Sequence, residues 1–162
     1  MDTFITIFIG VSVFVVGQFI VKALIEPYRD LAKVIGEIAF VLIFYANVYT
    51  KPGIPELENA SVTPSAEPDE SISRRTKQLD DVQVAFRKLA SDLMARRHAI
   101  PVYVLWETFR LVPKRSDILA ASRSLIRISN NMFNSGYEPA EQNKQDRREI
   151  ERCFGLRLGF GT

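Results

Sequence analysis

A long apolar run near the N-terminus constrains this chain more than any other feature. Residues 3–25 read TFITIFIGVSVFVVGQFIVKALI, and 21 of these 23 residues carry neither a charge nor an amide side chain. A helix of this length reaches roughly 34 Å, enough to cross a hydrocarbon core of about 30 Å. A secretory signal peptide would need a basic segment before a shorter run and a small-residue cleavage site after it, whereas Asp2 precedes this run. The run therefore predicts a retained transmembrane helix.

One face of this predicted helix consists of small residues. At 100° per residue a narrow arc contains Thr3, Thr6, Gly10 and Gly17. Small residues let helix backbones approach closely in lipid, so this face is a candidate for self-association. The alternative is that Gly and Thr are simply common in membrane helices, and the sequence leaves both interpretations open.

A second stretch, residues 26–49, is nearly apolar enough to span a membrane but carries charges. Pro27 predicts a kink or break near Glu26, because its ring removes a backbone N–H and clashes with the preceding turn. Residues 28–49 then keep a helical period with a broad apolar side and a polar side. A further stripe of small residues is a second packing candidate: Ala32, Gly36, Ala39 and Ala46.

The charges of the second stretch bear on topology. Its uncharged part, residues 38–50, has only 13 residues, which is short for a span. Basic residues gather between the two apolar runs, namely Lys22, Arg29 and Lys33. The positive-inside rule then puts that junction in the cytoplasm, and a hairpin with the junction outside violates the rule. We favour a single pass through the inner membrane, N-terminus out and C-terminus in. The alternative is a two-pass form in which Glu37 faces a bundle interior or a pore.

Residues 51–72 separate this membrane part from the remainder. They contain four prolines and five acidic residues and few large apolar ones. That composition is typical of a linker or an extended surface segment. The predicted division is therefore a membrane part at 1–50, a linker at 51–72 and a cytoplasmic helical bundle at 73–162.

The bundle is predicted to be all-α, with four helices at 73–98, 101–112, 117–134 and 139–154. In the first, apolar residues recur every three or four positions: Leu79, Val82, Phe86, Leu89 and Leu93. The core candidates of the other helices are Leu105, Trp106, Phe109, Ile118, Leu119, Leu125, Ile126, Met132, Phe133, Ile150, Cys153 and Phe154. Ser116 is a suitable N-cap and Gly136 a suitable C-cap for the third helix. A domain of this size has a modest core, so self-association would stabilise it.

The residue types exclude several kinds of chemistry. With one cysteine, Cys153, and one histidine, His98, the chain forms no internal disulfide and no Cys/His metal site. No glycine-rich phosphate loop or nucleophile elbow occurs, so we predict no enzyme, no metal and no cofactor. His98 is expected near a helix C-terminus, where the helix dipole favours a cation. The slight basic excess of residues 51–162 does not by itself predict nucleic-acid binding.

The third bundle helix carries the candidate ligand site. Its polar positions recur at i, i+4, i+7 and i+11, and two basic residues precede it: Arg123, Arg127, Asn130 and Asn134, with Lys114 and Arg115. Guanidinium and amide groups are suitable donors to phosphate, in RNA or in a nucleotide. The alternatives are a solvated helix face and pairing with the acidic residues of 138–151.

This layout resembles that of the accessory proteins of type VI-B CRISPR systems, and of the type III CRISPR membrane effectors gated by cyclic oligoadenylate. It consists of an apolar run, the dipeptide EP at residues 26–27 and then the bundle. The resemblance implies a HEPN-like bundle, assembly into a pore, and RNA, a nucleotide second messenger or a nucleoprotein effector complex as partner. An active HEPN nuclease carries Arg and His on one helix. The nearest segment here, RSLIRISN from Arg123 to Asn130, has Asn in place of His, which implies an absent or degenerate nuclease site.

Two functions follow from these observations. The first is a non-enzymatic membrane effector that forms homo-oligomers in membrane lipid and opens a pore or perturbs the inner membrane in antiviral defence. Its packing candidates are Gly10, Gly17, Ala32, Gly36 and Ala39, with Glu37 beside them. The second is a membrane-tethered interaction module that localises a cytoplasmic protein or RNA partner.

Overall fold

The structure is a computed structural model that describes residues 2–53 and 70–158. Within these ranges the regular elements are helices, which confirms the all-α prediction for the described chain. In order they are α1 (Asp2–Ile20), a π-helical turn (Val21–Ile25), α2 (Glu26–Phe44), α3 (Ala46–Tyr49), α4 (Glu70–Ala99), α5 (Tyr103–Thr108), α6 (Arg115–Asn130) and α7 (Tyr137–Phe154).

The π-helical turn joins α1 to α2 without a break in the helical path. The N–H of Glu26 donates to the carbonyl of Val21, five residues earlier, so this turn is wider than an α-helical one. The wide turn lies directly before Pro27, whose ring and missing N–H disturb the preceding turn of a helix. The predicted irregularity therefore lies at Val21–Ile25, and the helix continues through it into α2.

Of the residues that the structure describes, one helix is long and apolar enough to cross a membrane. Its segment Thr3–Ile20 has a mean hydropathy of 2.2, and none of it is buried in the structure. A signal sequence would meet the same criteria of length and composition. Because the large apolar side chains of this segment are exposed, from Phe4 at 77% to Ile20 at 44%, they are available to lipid or to another helix.

The apolar side of α2 packs into the bundle. Leu31, Val34, Ile38 and Leu42 are buried and belong to one core with residues of α4, α6 and α7. In that core α2 packs on α4, α4 on α6, and α6 on α7. The apolar side predicted for residues 28–49 therefore has protein neighbours. The division at residues 50 and 72 stays a prediction, because most of the linker lies outside the described residues.

The predicted core of the bundle is confirmed in α4 and differs elsewhere. All five predicted positions of α4 are buried, from Leu79 to Leu93. Also buried are Ile118, Leu125, Met132 and Ile150, whereas Cys153 and Phe154 are partly buried. The positions that the structure leaves exposed are Leu105, Phe109, Ile126 and Phe133. A helical period indicates which residues are apolar together, but it does not reveal which of them a neighbouring helix covers.

The caps predicted for the third bundle helix are wrong. Lys114 occupies the N-cap position of α6 in an extended conformation, and Ser116 lies inside the first turn. Gly136, with φ of +117°, precedes α7 instead of ending α6. The helix ends at Asn130, and the chain that follows contacts the loop after α3. There Met132 accepts a backbone hydrogen bond from Gly53 at 2.8 Å.

Gly53 permits this close approach between the two loops. Its φ is +86°, a region that glycine adopts without strain. A side chain there would overlap the side chain of Ser135. The loop that ends α6 is thus fixed to the chain just after α3.

Candidate functional site on the polar face of α6

The predicted ligand-binding residues have different surroundings in the structure. Lys114, Arg115, Arg123 and Asn130 are exposed, on α6 or at its start. Asn134 is also exposed, but it lies beyond the end of α6 and hence off the predicted helix face. Arg127 differs from these because its guanidinium is engaged with a buried carboxylate.

That carboxylate belongs to Asp146 of α7, whose side chain is 1% exposed against 48% for Arg127. The Nε of Arg127 donates to Asp146 Oδ1 at 2.8 Å, and a terminal nitrogen donates to the same oxygen and to the Ser124 hydroxyl. The hydrogen bond to Asp146 raises the pKa of the Arg127 guanidinium. Asp146 Oδ2 is buried without a hydrogen-bond partner in the described part of the chain. Arg127 therefore compensates a buried charge and joins α6 to α7.

Asn130 is engaged by a residue that sequence reasoning missed. Arg87 of α4 donates from Nε to the Ser129 hydroxyl and from a terminal nitrogen to Asn130 Oδ1, both at 3.1 Å. Ser129 also donates to the backbone carbonyl of Gln83 at 3.1 Å, and the Gln83 amide donates back to the Ser129 carbonyl at 3.2 Å. The polar face of α6 thus contributes to the α4–α6 contact.

The sequence signal for this contact is a set of small hydroxyl residues among the apolar positions of α6. Ser122, Ser124 and Ser129 are all buried. Ser122 donates to the Ala90 carbonyl of α4 at 3.3 Å, a contact that brings α6 close to the α4 backbone. A serine that satisfies its hydroxyl on a facing backbone lets two helices pack closely.

A second polar contact fixes the end of the α2–α3 segment to α7. Asn143 donates to the Tyr49 carbonyl at 2.8 Å and accepts from the Asn131 amide at 3.2 Å. The Tyr49 hydroxyl donates to the Leu42 carbonyl at 2.8 Å. Burial raises the pKa of Tyr49 to about 12, so this hydroxyl keeps its proton and its hydrogen bond at neutral pH.

Three basic residues at the start and outer side of α6 remain exposed: Lys114, Arg115 and Arg123. Arg115 lines a small cavity of about 160 Å³ together with Arg97 and His98 of α4. His98 lies in the last turn of α4, as expected, with Nδ1 2.7 Å from the Met94 carbonyl and Nε2 2.9 Å from Arg97. When Nδ1 carries the proton, it donates to Met94 and Nε2 accepts from Arg97. Over the described residues, no group of three His, Cys, Asp or Glu side chains is arranged to hold a metal ion.

The packing candidates lie on outward surfaces. Gly10, Gly17, Ala32, Gly36 and Glu37 are exposed, and Ala39 is partly buried. A Cβ built on Gly10, Gly17 or Gly36 would have no heavy atom within 4 Å. No neighbour within the described chain thus accounts for these glycines. On the same outward side of α2, the rings of Phe40 and Phe44 stack at 5.4 Å and are exposed.

No family model, curated protein sequence or solved structure matches this chain.

Proposed function

We propose that this chain is a membrane-anchored, non-enzymatic effector that self-associates and perturbs the inner membrane. The observation that supports this most is the helical continuity from Asp2 to Phe44. An uncovered apolar helix passes through the π-helical turn into α2, whose inner side is held in the bundle core. A helical connection of this kind transmits a rotation or association of the bundle to α1, whereas a simple tether needs only a flexible joint.

Self-association would use the outward surfaces of α1 and α2. Gly10 and Gly17 offer the close backbone approach that drives helix association in lipid. On α2, Ala32, Gly36 and Phe40 are spaced four residues apart on the exposed side, so they form a continuous surface for a second copy. We propose a single pass with the N-terminus out, which leaves the bundle in the cytoplasm.

The resemblance in layout to type VI-B accessory proteins supports a role in antiviral defence, with a pore as the product of assembly. We propose that the bundle is HEPN-like in its helical architecture and does not act as a nuclease. In the segment RSLIRISN, Arg123 is exposed, whereas Asn130, which stands in place of His, accepts a hydrogen bond from Arg87. The engagement of Asn130 in the α4–α6 contact favours a structural use of this position over a nuclease site.

Dye release from liposomes tests the proposal. The purified full chain is reconstituted in vesicles that contain a self-quenched dye, with and without RNA or cyclic oligoadenylate. The variant Gly10→Leu with Gly17→Leu blocks the close approach and should slow release roughly fivefold or more, the effect of about 1 kcal/mol per helix contact. The matched control, Phe8→Leu with Val15→Leu, keeps the helix apolar on its opposite side and should release dye like the wild type. Absence of release under every condition would refute the effector.

The second candidate, a membrane-tethered interaction module, is favoured by the exposed Lys114, Arg115 and Arg123. A tether and an effector respond differently to a flexible joint. Insertion of Gly-Ser-Gly between Ile25 and Glu26 should leave partner capture by a tether intact, because the bundle stays attached to α1. The same insertion should abolish dye release by an effector that depends on helical continuity.

A further inference from the structure

The segment around α5 exposes an unusual amount of apolar surface. Five large apolar side chains within ten residues are each between 51% and 70% exposed, and we refer to them as the α5 patch: Val102, Val104, Leu105, Phe109 and Leu111. Single exposed apolar residues need no explanation, but a contiguous set indicates a contact surface. Only the inner side of α5 packs on the bundle, through Tyr103 and Trp106.

The α5 patch lies where α1 ends. Trp106 and Leu111 line an apolar cavity of about 230 Å³ together with Ile20, Ile25 and Tyr28. Ile20 is the last residue of the segment that is apolar enough to cross a membrane. The uncovered surface of the patch is therefore continuous with the uncovered surface of α1, at the level where α1 would leave the hydrocarbon.

The residues around the patch are those that proteins place at a membrane–water boundary. Trp106 and Tyr28 both line the cavity, and tryptophan and tyrosine are enriched at headgroup depth. Residues 96–115 contain five Lys or Arg residues and a single carboxylate, Glu107. Of the five, Arg97 is buried and Arg96 pairs with Asp30, and the other three are exposed: Arg110, Lys114 and Arg115. Exposed cations of this kind attract anionic headgroups.

The backbone in the C-terminal part of this segment is paired by internal hydrogen bonds. The N–H groups of Phe109, Arg110 and Leu111 donate to carbonyls within the segment at 3.0 to 3.2 Å. The Tyr103 hydroxyl donates to the Pro113 carbonyl at 2.6 Å, and the Thr108 hydroxyl donates to the Val104 carbonyl at 2.8 Å. Internal pairing of this kind is what a segment needs when it enters a region poor in water.

The two ends of the segment turn sharply. Val102 and Arg110 have φ of +51° and +57°, in the left-handed region. A β-branched residue is strained there, and glycine or asparagine would adopt this conformation more easily. Val102 is nevertheless exposed at 70%, so its side chain has little packing within the chain. Contact with an apolar medium would account for a valine at this position.

We propose that the α5 patch is a second membrane contact, which inserts into the headgroup–acyl boundary of the leaflet from which α1 emerges. The occupant of the patch is lipid, and the basic residues Arg110, Lys114 and Arg115 lie near its phosphates. The inference rests on the anchoring of α1 in the proposed function and does not depend on pore formation. Two contacts fix the orientation of the bundle against the bilayer, which a single helix does not.

Trp106 is the only tryptophan of the chain and reports on this contact without a label. The full chain is placed in nanodiscs made with phospholipid brominated either near the headgroup end or near the terminus of its acyl chain. We expect shallow bromine to quench Trp106 fluorescence roughly twofold and deep bromine to quench it less, because interfacial segments insert only about 5–10 Å. The emission maximum should lie to the blue of that in denaturant.

Two variants control the measurement. Val104→Asn with Phe109→Asn removes apolar surface from the patch but keeps Trp106, and it should lose most of the quenching. Trp106→Phe with Val84→Trp moves the probe to an exposed position of α4, about 20 Å along the helix from its C-terminal end. That probe should not be quenched by either lipid.

Alkaline carbonate extraction tests the membrane anchoring of α1 independently of the α5 contact. Membrane-retained protein with shallow quenching that the Asn variant loses supports the α5 contact. Retained protein without quenching, or with quenching unchanged in the Asn variant, overturns the contact and leaves anchoring intact. The Trp106 emission could instead shift further to the blue as the number of copies per disc rises, without any quenching by bromine. That result would assign the patch to contact with a second copy and would also overturn the lipid contact. Complete extraction refutes anchoring and the α5 contact together.

Discussion

Arg127 and Arg123 lie one helical turn apart on α6 and have different surroundings. Arg127 holds the buried Asp146, whereas Arg123 is exposed. A buried carboxylate that loses its cation destabilises the fold by about 3–5 kcal/mol when the pair is fully buried. Because Arg127 is half exposed, water would replace part of its effect. The pair therefore stabilises the α6–α7 contact, whatever ligand the exposed cations meet.

Substitution of each arginine tests this difference. Arg127→Ala should lower the free energy of unfolding by about 2 kcal/mol, and Arg123→Ala by less than about 0.5 kcal/mol. Urea unfolding of the full chain in detergent, followed by circular dichroism, gives both values. Adding Asp146→Asn to Arg127→Ala removes the uncompensated charge and should recover part of the loss. Equal effects of the two arginine variants would contradict the structural role of Arg127.

Tyr49 makes stability depend on pH at the alkaline end. Burial raises its pKa from the ordinary value of 10.0 to about 12, so between these values the unfolded chain releases a proton that the folded chain keeps. Stability is then full below pH 10 and declines as the pH rises toward 12, by an amount on the order of 2 kcal/mol. Unfolding free energies measured across this range check the decline. In Tyr49→Phe the alkaline decline should be shallower, although the lost hydrogen bond to Leu42 lowers stability at every pH.

At the scale of helices, α2 carries the largest difference between expectation and structure. Its apolar side was predictable from periodicity, since residues three and four positions apart share one face of a helix. The surface that covers this apolar side was not predictable, because the helical spacing of apolar residues is the same whether lipid or protein covers them. In the structure Leu31, Ile38 and Leu42 belong to the core that α4 and α6 also form. The charged residues of the stretch then lie on its outer side, where Glu37 is exposed.

Two isoleucines of α2 distinguish a bundle helix from a lipid-facing one. Ile38 is fully buried and Ile43 is 43% exposed. Ile38→Ala should destabilise the bundle by about 3 kcal/mol through lost packing and a cavity, and Ile43→Ala by about 1 kcal/mol. The loss should appear in the cooperative unfolding of the whole bundle, followed by circular dichroism. Two small and equal losses would indicate that α2 has no protein core on its inner side.

The helices that sequence reasoning predicted best are those with long periodic patterns. In α4, five apolar positions from Leu79 to Leu93 sufficed to predict both the helix and its buried side. In α5 the same logic was insufficient, since Leu105 and Phe109 are apolar yet uncovered. One of the two partners of the candidate site on α6 was predictable from the sequence. Pairing with the acidic residues of α7 was among the predicted alternatives for the polar face of α6. The contact of Arg87 with Asn130 was not predicted, because it depends on how α4 packs against α6, which the sequence spacing does not reveal.

At the scale of the whole molecule, the uncovered apolar surfaces of α1 and the α5 patch meet at one cavity. Ile20 of α1 and Trp106 of α5 both line it. The bundle core itself is closed by α2, α4, α6 and α7. This arrangement suits a protein that holds its bundle at a membrane surface, with α1 in the lipid and the helical joint before Pro27 at the boundary.

Cysteine labelling in membrane vesicles tests the central claim, one span followed by a cytoplasmic α2, most directly. On a Cys153→Ala background, single cysteines replace Asp2, Glu37 and Ser91, and an impermeant maleimide is applied to right-side-out and to inside-out vesicles. The account predicts that the residue-2 cysteine labels from outside, and that those at 37 and 91 label only in inside-out vesicles. Labelling at 91 from outside, or protection at 37 in both vesicle types, would contradict it and favour two passes.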